Sequence, residues 1–432
     1  MLFYSTNAKC GPVSFRDAVL RGLADDGGLF MPAGIPVLDP DFLANLRNRS
    51  LIEIGVEVAA PFVRPDISQE DLAELIRDAF PFDAPLVQLS ENLHVLELFH
   101  GPTLAFKDFG ARFMARVLSG FRRDSSRPLT VLVATSGDTG SAVAHGFYHV
   151  EGIRVVLLYP AGKISVMQER QMTTLGGNIQ AVAVAGAFDD CQRLVKEAFQ
   201  DPELRERTSL TSANSINIAR LIPQSFYYFR ALAQLQDLSR EIVLSVPSGN
   251  FGNLTAGLMA KFMGLPVHRF VAATNANAVV PRYLETGIFQ PQPSQKTISN
   301  AMDVGNPSNF ARMLALYKSD PDRMKQDLCG ASFDDDQTRS AISELYRIYR
   351  YPADPHTAVA YLGLKQFQQN STKQGIFLST AHPGKFQDIV EQATGAGVDL
   401  PQRLRECLDK PQHSISLSSR FEALKSYLMD HP

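Results

Sequence analysis

Apolar and polar positions along the chain follow two periods in turn. In the opening third, "SFRDAVLRGL" and "DLAELIRDAF" place apolar residues three and four apart, the spacing of amphipathic helices, and a Pro- and Gly-rich link, "DDGGLFMPAGIPVLDPD", lies between them. From about residue 90 the pattern changes to short β-branched runs alternating with helix-length amphipathic segments. "LTVLVATSGDTGSAVAHGFYHV" reads as strand, glycine turn and helix, and "IRVVLLYP" as the next strand. "SVMQERQMTTLG" then reads as helix, "NIQAVAVAG" as strand and "FDDCQRLVKEAFQ" as helix. "INIARLIPQSFYYFRALAQL" is helical by its apolar spacing, with a kink or break predicted at Pro223. A further unit of the same kind follows in "EIVLSVPSGNFGNLTAGLMAKFMGLPVHRFVAATN". Two such blocks predict two α/β lobes, each a parallel sheet covered by helices, with a cleft between them and a mostly helical unit in front.

Composition narrows the classes. At 45% apolar and 20% charged, the 432 residues are those of an ordinary globular protein rather than a disordered one. A net charge of -3 without a polybasic or acidic run gives no sign of a nucleic-acid or membrane partner. Four scattered cysteines, Cys10, Cys191, Cys329 and Cys407, have neither zinc-site nor disulfide-framework spacing, which fits a reducing compartment. The start, "MLFYSTNAKC", lacks the pattern of a signal peptide, and the apolar runs are shorter than the ~20 residues of a membrane span, so a cytoplasmic location is expected.

Open α/β sheets place ligands where strands end in glycine turns. Two such ends stand out. In "VPSGNFGN" the run Ser248, Gly249, Asn250, Phe251, Gly252 and Asn253 lies between a strand and a helix, where amide groups and the helix dipole point at an anion. In "ATSGDTGSA" the run Thr135, Ser136, Gly137, Asp138, Thr139 and Gly140 adds hydroxyls suited to a carboxylate. Either loop taken singly reads equally well as a plain turn. There is no GxGxxG and no GxxxxGK[ST], which argues against dinucleotide and P-loop sites.

One lysine sits in an unusual setting. In "ELFHGPTLAFKDFGARF", Lys107 lies among Leu104, Ala105, Phe106 and Phe109. Burial there disfavours the charged amine, and a neutral amine is what a Schiff base with an aldehyde needs. The competing reading lays the lysine stem on apolar surface with its head in water, or pairs it with Asp108. A Schiff-base lysine together with an anion cradle is the set of parts that pyridoxal phosphate requires.

The motifs "HGPTLAFKDFGARF", "ATSGDTGSA", "LYPAGKIS", "SANSINIARL", "VPSGNFGNLTAGL", "SNAMDVGNPSN" and "TAHPGKF", with "YSTN" and "VSFRDAVLRGLADDGGLFMP" ahead of them, together resemble the motif set of the threonine synthase family, in order along nearly the whole chain. The resemblance implies pyridoxal-phosphate fold type II: two parallel-sheet α/β lobes plus a mostly helical amino-terminal domain. The division it suggests is an amino-terminal domain over 1–95, a large cofactor-binding domain over 96–115 and 240–432, and a small mobile domain over 116–239. It implies conversion of O-phospho-L-homoserine and water to L-threonine and phosphate, by a monomer or homodimer. Lys107 matches the lysine that bonds the cofactor and shuttles protons, and Ser248, Gly249, Asn250, Phe251, Gly252 and Asn253 match the cradle for its phosphate. Thr380 falls where relatives place a hydroxyl against the pyridine nitrogen. Thr135, Ser136, Thr139 and Gly140 match the loop that grips the substrate carboxylate, and Lys163 resembles a residue for the substrate phosphate. Asp138 stands where the wider class often carries Asn near the cofactor's ring hydroxyl, so its role is open.

Other residues read both ways. His145 and His149 have the i, i+4 spacing of metal ligands, but there is no HExxH glutamate and no third ligand, so surface or core histidines are the reading preferred. Ser299, Asn300, Asp303, Asn306, Asn309 and Arg312 line either the cleft or a solvated loop with turn chemistry at Gly305 and Pro307. His356 lies either beside the site or at a helix start.

Overall fold

The computed structural model describes residues 1–122, 128–368 and 373–430. In chain order the strands are β1 (Phe3–Ser5), β2 (Phe30–Pro32), β3 (Leu86–Ser90), β4 (Leu93–Glu97), β5 (Leu129–Ala134), β6 (Ile153–Pro160), β7 (Ile179–Ala185), β8 (Ser209–Ser212), β9 (Ile242–Pro247), β10 (Arg269–Thr274), β11 (Leu328–Ser332), β12 (Gln374–Ser379) and β13 (Ser414–Ser418). One sheet has the order β13-β7-β6-β5-β8 and is parallel throughout. The other runs β11-β10-β9-β12-β4-β3, parallel except for the β3–β4 pair. β1 and β2 form a separate antiparallel pair. The expected two lobes are therefore present, and β5 and β9 are buried along their whole length because helices cover both sheet faces.

Three helices of the amino-terminal region begin at serine caps. Ser14, Ser50 and Ser68 each accept an amide hydrogen from the first turn, and Glu53 completes a reciprocal pair with Ser50. The region is continuous with the main core. Phe15 packs edge-on to Phe121 and Phe80 lies 5.6 Å from Phe109, so it braces the helix Lys107–Arg122 from behind.

The break expected at Pro223 is present. The helix Ile218–Leu221 tightens to a 3-10 turn over Ile222–Ser225 and resumes as Phe226–Gln234, since proline offers no amide to the ladder.

Sheet membership differs from the expected division in two places. β3 and most of β4 fall within 1–95, yet they extend the large sheet. The carboxyl-terminal segment, assigned with 240–432 to the large lobe, returns instead to the small one: β13 pairs with β7, and the helix Phe421–Asp430 packs Leu424, Tyr427 and Leu428 into that lobe's core. Neighbours in sequence are usually neighbours in space, and the short alternation in "HSISLSS" is too weak to announce the exception.

Candidate active site

The loops named from the sequence meet at the carboxyl ends of both sheets. Lys107 opens the helix Lys107–Arg122, and the residues before it are tied to the exit of β12: Phe106 N–H donates to Thr380 O at 2.9 Å, and His382 N–H to Leu104 O at 3.0 Å. Leu104 adopts a left-handed backbone to make this turn. Asp108 does not pair with Lys107. It turns back to accept from Thr103 N–H at 2.8 Å and Thr103 Oγ1 at 2.7 Å, and burial raises its carboxyl to about 6.

The lysine side chain is 15% exposed and its Nζ lies 4.0 Å from Asp138 Oδ2. Burial, opposed by Asp138 and reinforced by Lys385 and Arg220, lowers the Lys107 amine to about 8. Asp138 has a closer partner: Lys385, whose side chain is wholly buried, reaches Asp138 Oδ1 at 2.7 Å and donates to Thr103 O at 3.0 Å. Gln168 Nε2 donates to the same carboxylate oxygen at 3.0 Å. Although burial opposes it, the two lysines and Gln168 hold the Asp138 carboxyl far below its ordinary value. Asp138 thus bonds most directly with Lys385, and Lys107 is left as the amine that sheds its proton. Arg220 comes close because residue 110 is glycine; a Cβ there would stand 2.7 Å from Arg220 Nε.

The second strand end forms a cradle. Ser248 N–H donates to Ala273 O, and Phe251 takes a left-handed backbone at φ 61° before the helix Gly252–Phe262. Among the described residues no side chain caps that helix, so its first amides remain available to an anion. The loop is fixed from outside: Asn250 Nδ2 donates to Ser215 Oγ at 2.7 Å, Asn250 Oδ1 accepts from Ser308 N–H, and Asn309 Nδ2 donates to Asn250 O. Asn253 Oδ1 receives both Tyr227 and Tyr228 hydroxyls. Its oxygen therefore braces the helix, while its Nδ2, buried and without a partner among the described residues, is left for a ligand. Gly249 packs so tightly on the turn at 300–302 that a Cβ would lie 2.7 Å from Met302 Cα.

In the first loop Thr135 Oγ1 accepts from Gly137 N–H at 3.0 Å and Gly140 N–H at 2.7 Å, so Thr135 shapes the turn. A Cβ on Gly140 would collide with Met172 Sδ. Ser136 and Thr139 are partly open, and among the described residues their hydroxyls have no partner within the chain. Thr380 is buried where β12 ends, its carbonyl holding Phe106. Lys163 stands apart from these groups, exposed on the turn after β6, with its charge felt by Asp190 and Cys191.

The two histidines at metal-ligand spacing do not share a helix face. The helix Asp138–Phe147 ends before His149, whose ring lies tilted against that of Tyr148, while burial lowers His145 to about 4. Of the polar stretch after residue 298, Arg312 is fully buried and binds Phe30 O, Ser215 O and Ile216 O, and Asn309 braces the cradle. Lys385, Gln168 and Asp354 were not legible as site residues, whereas His356, read as lying either beside the site or at a helix start, stands in the first turn of the helix Pro355–Phe367 and bonds Asp354. Lys385 lies in "TAHPGKF", but nothing in its spacing distinguishes a buried lysine from a solvated one.

A buried amine lowered to about 8 and an uncapped, glycine-lined helix start are parts that fit an aldehyde cofactor with an anionic tail. Comparison with known proteins agrees. A family model for pyridoxal-phosphate dependent enzymes matches residues 82–380, one for the threonine synthase N terminus matches 2–80, and one for the threonine synthase C-terminal region matches 357–428. Threonine synthase of Escherichia coli is 47% identical over the whole of both chains. The chain belongs to the threonine synthase family. A crystal structure of the Escherichia coli threonine synthase superposes with a TM-score of 0.95 over 100% of each chain. A pyridoxal-phosphate-bound threonine synthase from Brucella melitensis, 34% identical, gives 0.93 over 100% of this chain and 99% of that one. The yeast enzyme, 32% identical, gives 0.91 over 99% and 98%. As a member of this family the protein is a pyridoxal-phosphate-dependent enzyme of threonine biosynthesis. Among the described residues no helix is long and apolar enough to cross a membrane.

Proposed function

We propose that the substrate is O-phospho-L-homoserine, converted with water to L-threonine and phosphate in the cytoplasm, and that the residues gathered here divide the work as follows. The observation that carries the reading is the pairing of Asp138 with Lys385 at 2.7 Å, which leaves the nearby Lys107 amine at about 8, uncharged often enough to react. Lys107 is the covalent attachment point, and the amides that start the helix Gly252–Phe262 hold the cofactor phosphate. Thr380 would supply a hydroxyl to the ring nitrogen, and Asp138 would stand toward the ring hydroxyl. Bound pyridoxal phosphate supplies an electron sink conjugated to the substrate Cα.

Lys107 Nζ, once freed by the substrate amine, takes the Cα proton, for which an amine near 8 is well matched. A proton then leaves Cβ as phosphate departs from Cγ. Cγ regains a proton, water adds its hydroxyl at Cβ and releases a proton, and Lys107 returns a proton to Cα before threonine leaves. Ser136 and Thr139, with the turn shaped by Thr135 and Gly140, hold the substrate carboxylate. Lys163, one strand over at the end of β6, is assigned to the substrate phosphate. Both loops sit on the small lobe, whose movement against the large one admits substrate and then excludes stray water.

The test compares phosphate release from O-phosphohomoserine with deamination of serine and threonine by the reconstituted enzyme. Phosphate release coupled to threonine is expected. Deamination alone would replace this reading with that of a dehydratase. Lys107→Ala is expected to lose the yellow colour and the turnover together, and a Lys107→Ala enzyme as fast as its parent would end the covalent assignment.

A further inference from the structure

The helix Pro355–Phe367 starts at a carboxyl group that is engaged well beyond the needs of a cap. Asp354 is fully buried, and its oxygens accept from the His356 and Thr357 amides, which is ordinary capping. The same oxygens also take two side chains of opposite direction. Oδ1 is 2.7 Å from His356 Nδ1, and Oδ2 accepts from Thr357 Oγ1.

On the histidine side, Ala301 N–H donates to His356 Nε2 at 3.2 Å. Nε2 is therefore the bare nitrogen and Nδ1 carries the hydrogen given to Asp354. Ala301 belongs to the turn whose backbone meets Gly249, with Ala301 O and Met302 Cα only 2.9 and 2.7 Å from where a Cβ would stand. On the threonine side, Thr357 Oγ1 donates its hydrogen to Asp354 and so accepts from Ser379 Oγ at 2.8 Å. Ser379 directly precedes Thr380. Asp354, His356, Thr357 and Ser379 are all 3% exposed or less, so water does not compete for these bonds.

We infer that Asp354 is a positioning residue that ties the cradle for the cofactor phosphate, through His356 and the turn at 300–302, to the strand end facing the cofactor ring, through Thr357 and Ser379. The inference rests on the assignment of Ser248–Asn253 to the phosphate. It gives one carboxyl group control over the distance between the two ends of a rigid ligand. A hydrogen-bonded support of this kind, beyond the residues that touch the ligand, is how a site holds sub-ångström geometry.

Four variants separate the two arms, each read in the holoenzyme by the dissociation constant for pyridoxal phosphate, the phosphorus magnetic resonance of the bound phosphate and the visible spectrum. His356→Phe keeps the ring volume and deletes both bonds. It is expected to weaken cofactor binding about tenfold, as befits a buried amide left unpaired, and to move the phosphorus resonance with the visible band unchanged. Thr357→Val is expected to move the visible band and leave the phosphorus resonance in place. Asp354→Asn is expected to disturb both. His356→Gln, which restores an acceptor for Ala301 N–H, is expected to recover most of the affinity and guards against a folding defect in the phenylalanine variant. An Asp354→Asn holoenzyme with parental affinity, resonance and spectrum overturns the inference. So does a result in which the two arms move the same signal. Gly249→Ala, run alongside, reports on the cradle itself. A phosphorus shift there with none in His356→Phe overturns the Asp354 link and leaves the cradle standing, whereas no shift in either variant overturns the cradle assignment as well.

Discussion

Lys385→Met tests the charge arrangement of the site most directly. Lys107 is faced by Asp138 from the helix after β5, by Lys385 from the turn after β12 and by Arg220 from the helix Ile218–Leu221, and burial with these charges brings its amine from 10.5 to about 8. Removing Lys385 deletes a repulsive cation and leaves Asp138, at 4.0 Å, with Lys107 as its remaining close lysine. Two cations ~8 Å apart at an effective dielectric of ~20 repel by roughly 2 kcal/mol. At 1.36 kcal/mol per pKa unit, that raises Lys107 by about 1.5 units, so its uncharged fraction at pH 8 falls from about one half to about 3%. The assay is the rate at which apoenzyme captures pyridoxal phosphate covalently, followed by colour and by borohydride fixation across pH. The expected profile is displaced upward by about 1.5 units and roughly 15-fold slower at pH 8, with Lys385→Arg close to the parent. A Lys385→Met profile with the parental midpoint would refute the reasoning, because it would mean that burial alone sets the lysine.

Other outcomes follow from the same geometry. The folded Lys107 lies at about 8 against 10.5 for a free lysine, so unfolding takes up a proton between those values; apoprotein stability should rise with pH across that window, and the rise should vanish in Lys107→Met, as judged by denaturant melts at several pH values. Gly249→Ala forces a methyl group against Met302 Cα and should weaken cofactor binding by about 1–3 kcal/mol, measured by fluorescence titration. Leu424→Ala opens a cavity in the small lobe's core and should cost about 2–5 kcal/mol, with hydrogen exchange quickening in β13 and β7 before the large sheet is affected.

The two lobes were legible because buried parallel strands such as "LTVLVA" and "IRVVLLYP" are apolar but for Thr130 and Arg154 and end in glycine turns, a pattern few other arrangements produce. Lys107 was legible for the same reason: its apolar neighbours are adjacent in sequence. Lys385 was not, since its burial comes from Thr103 and Asp138, some 282 and 247 positions away along the chain. The Asp354 network stayed hidden likewise, because Ala301 and Ser379 reach it only through the tertiary fold. The resemblance supplied the cradle as a unit, but it did not reveal that Asn253 braces two tyrosines while the amides of the helix start remain free.

β13 follows β7 by more than two hundred residues along the chain, yet it covers the flank of β7. Until Ser414–Ser418 has been made, this flank of β7 presents an unpaired row of amides and carbonyls, the kind of border that recruits foreign strands. The tail therefore acts as a late-arriving hem for the small lobe. Clipping it should leave a chain that keeps its catalytic side chains and still clumps.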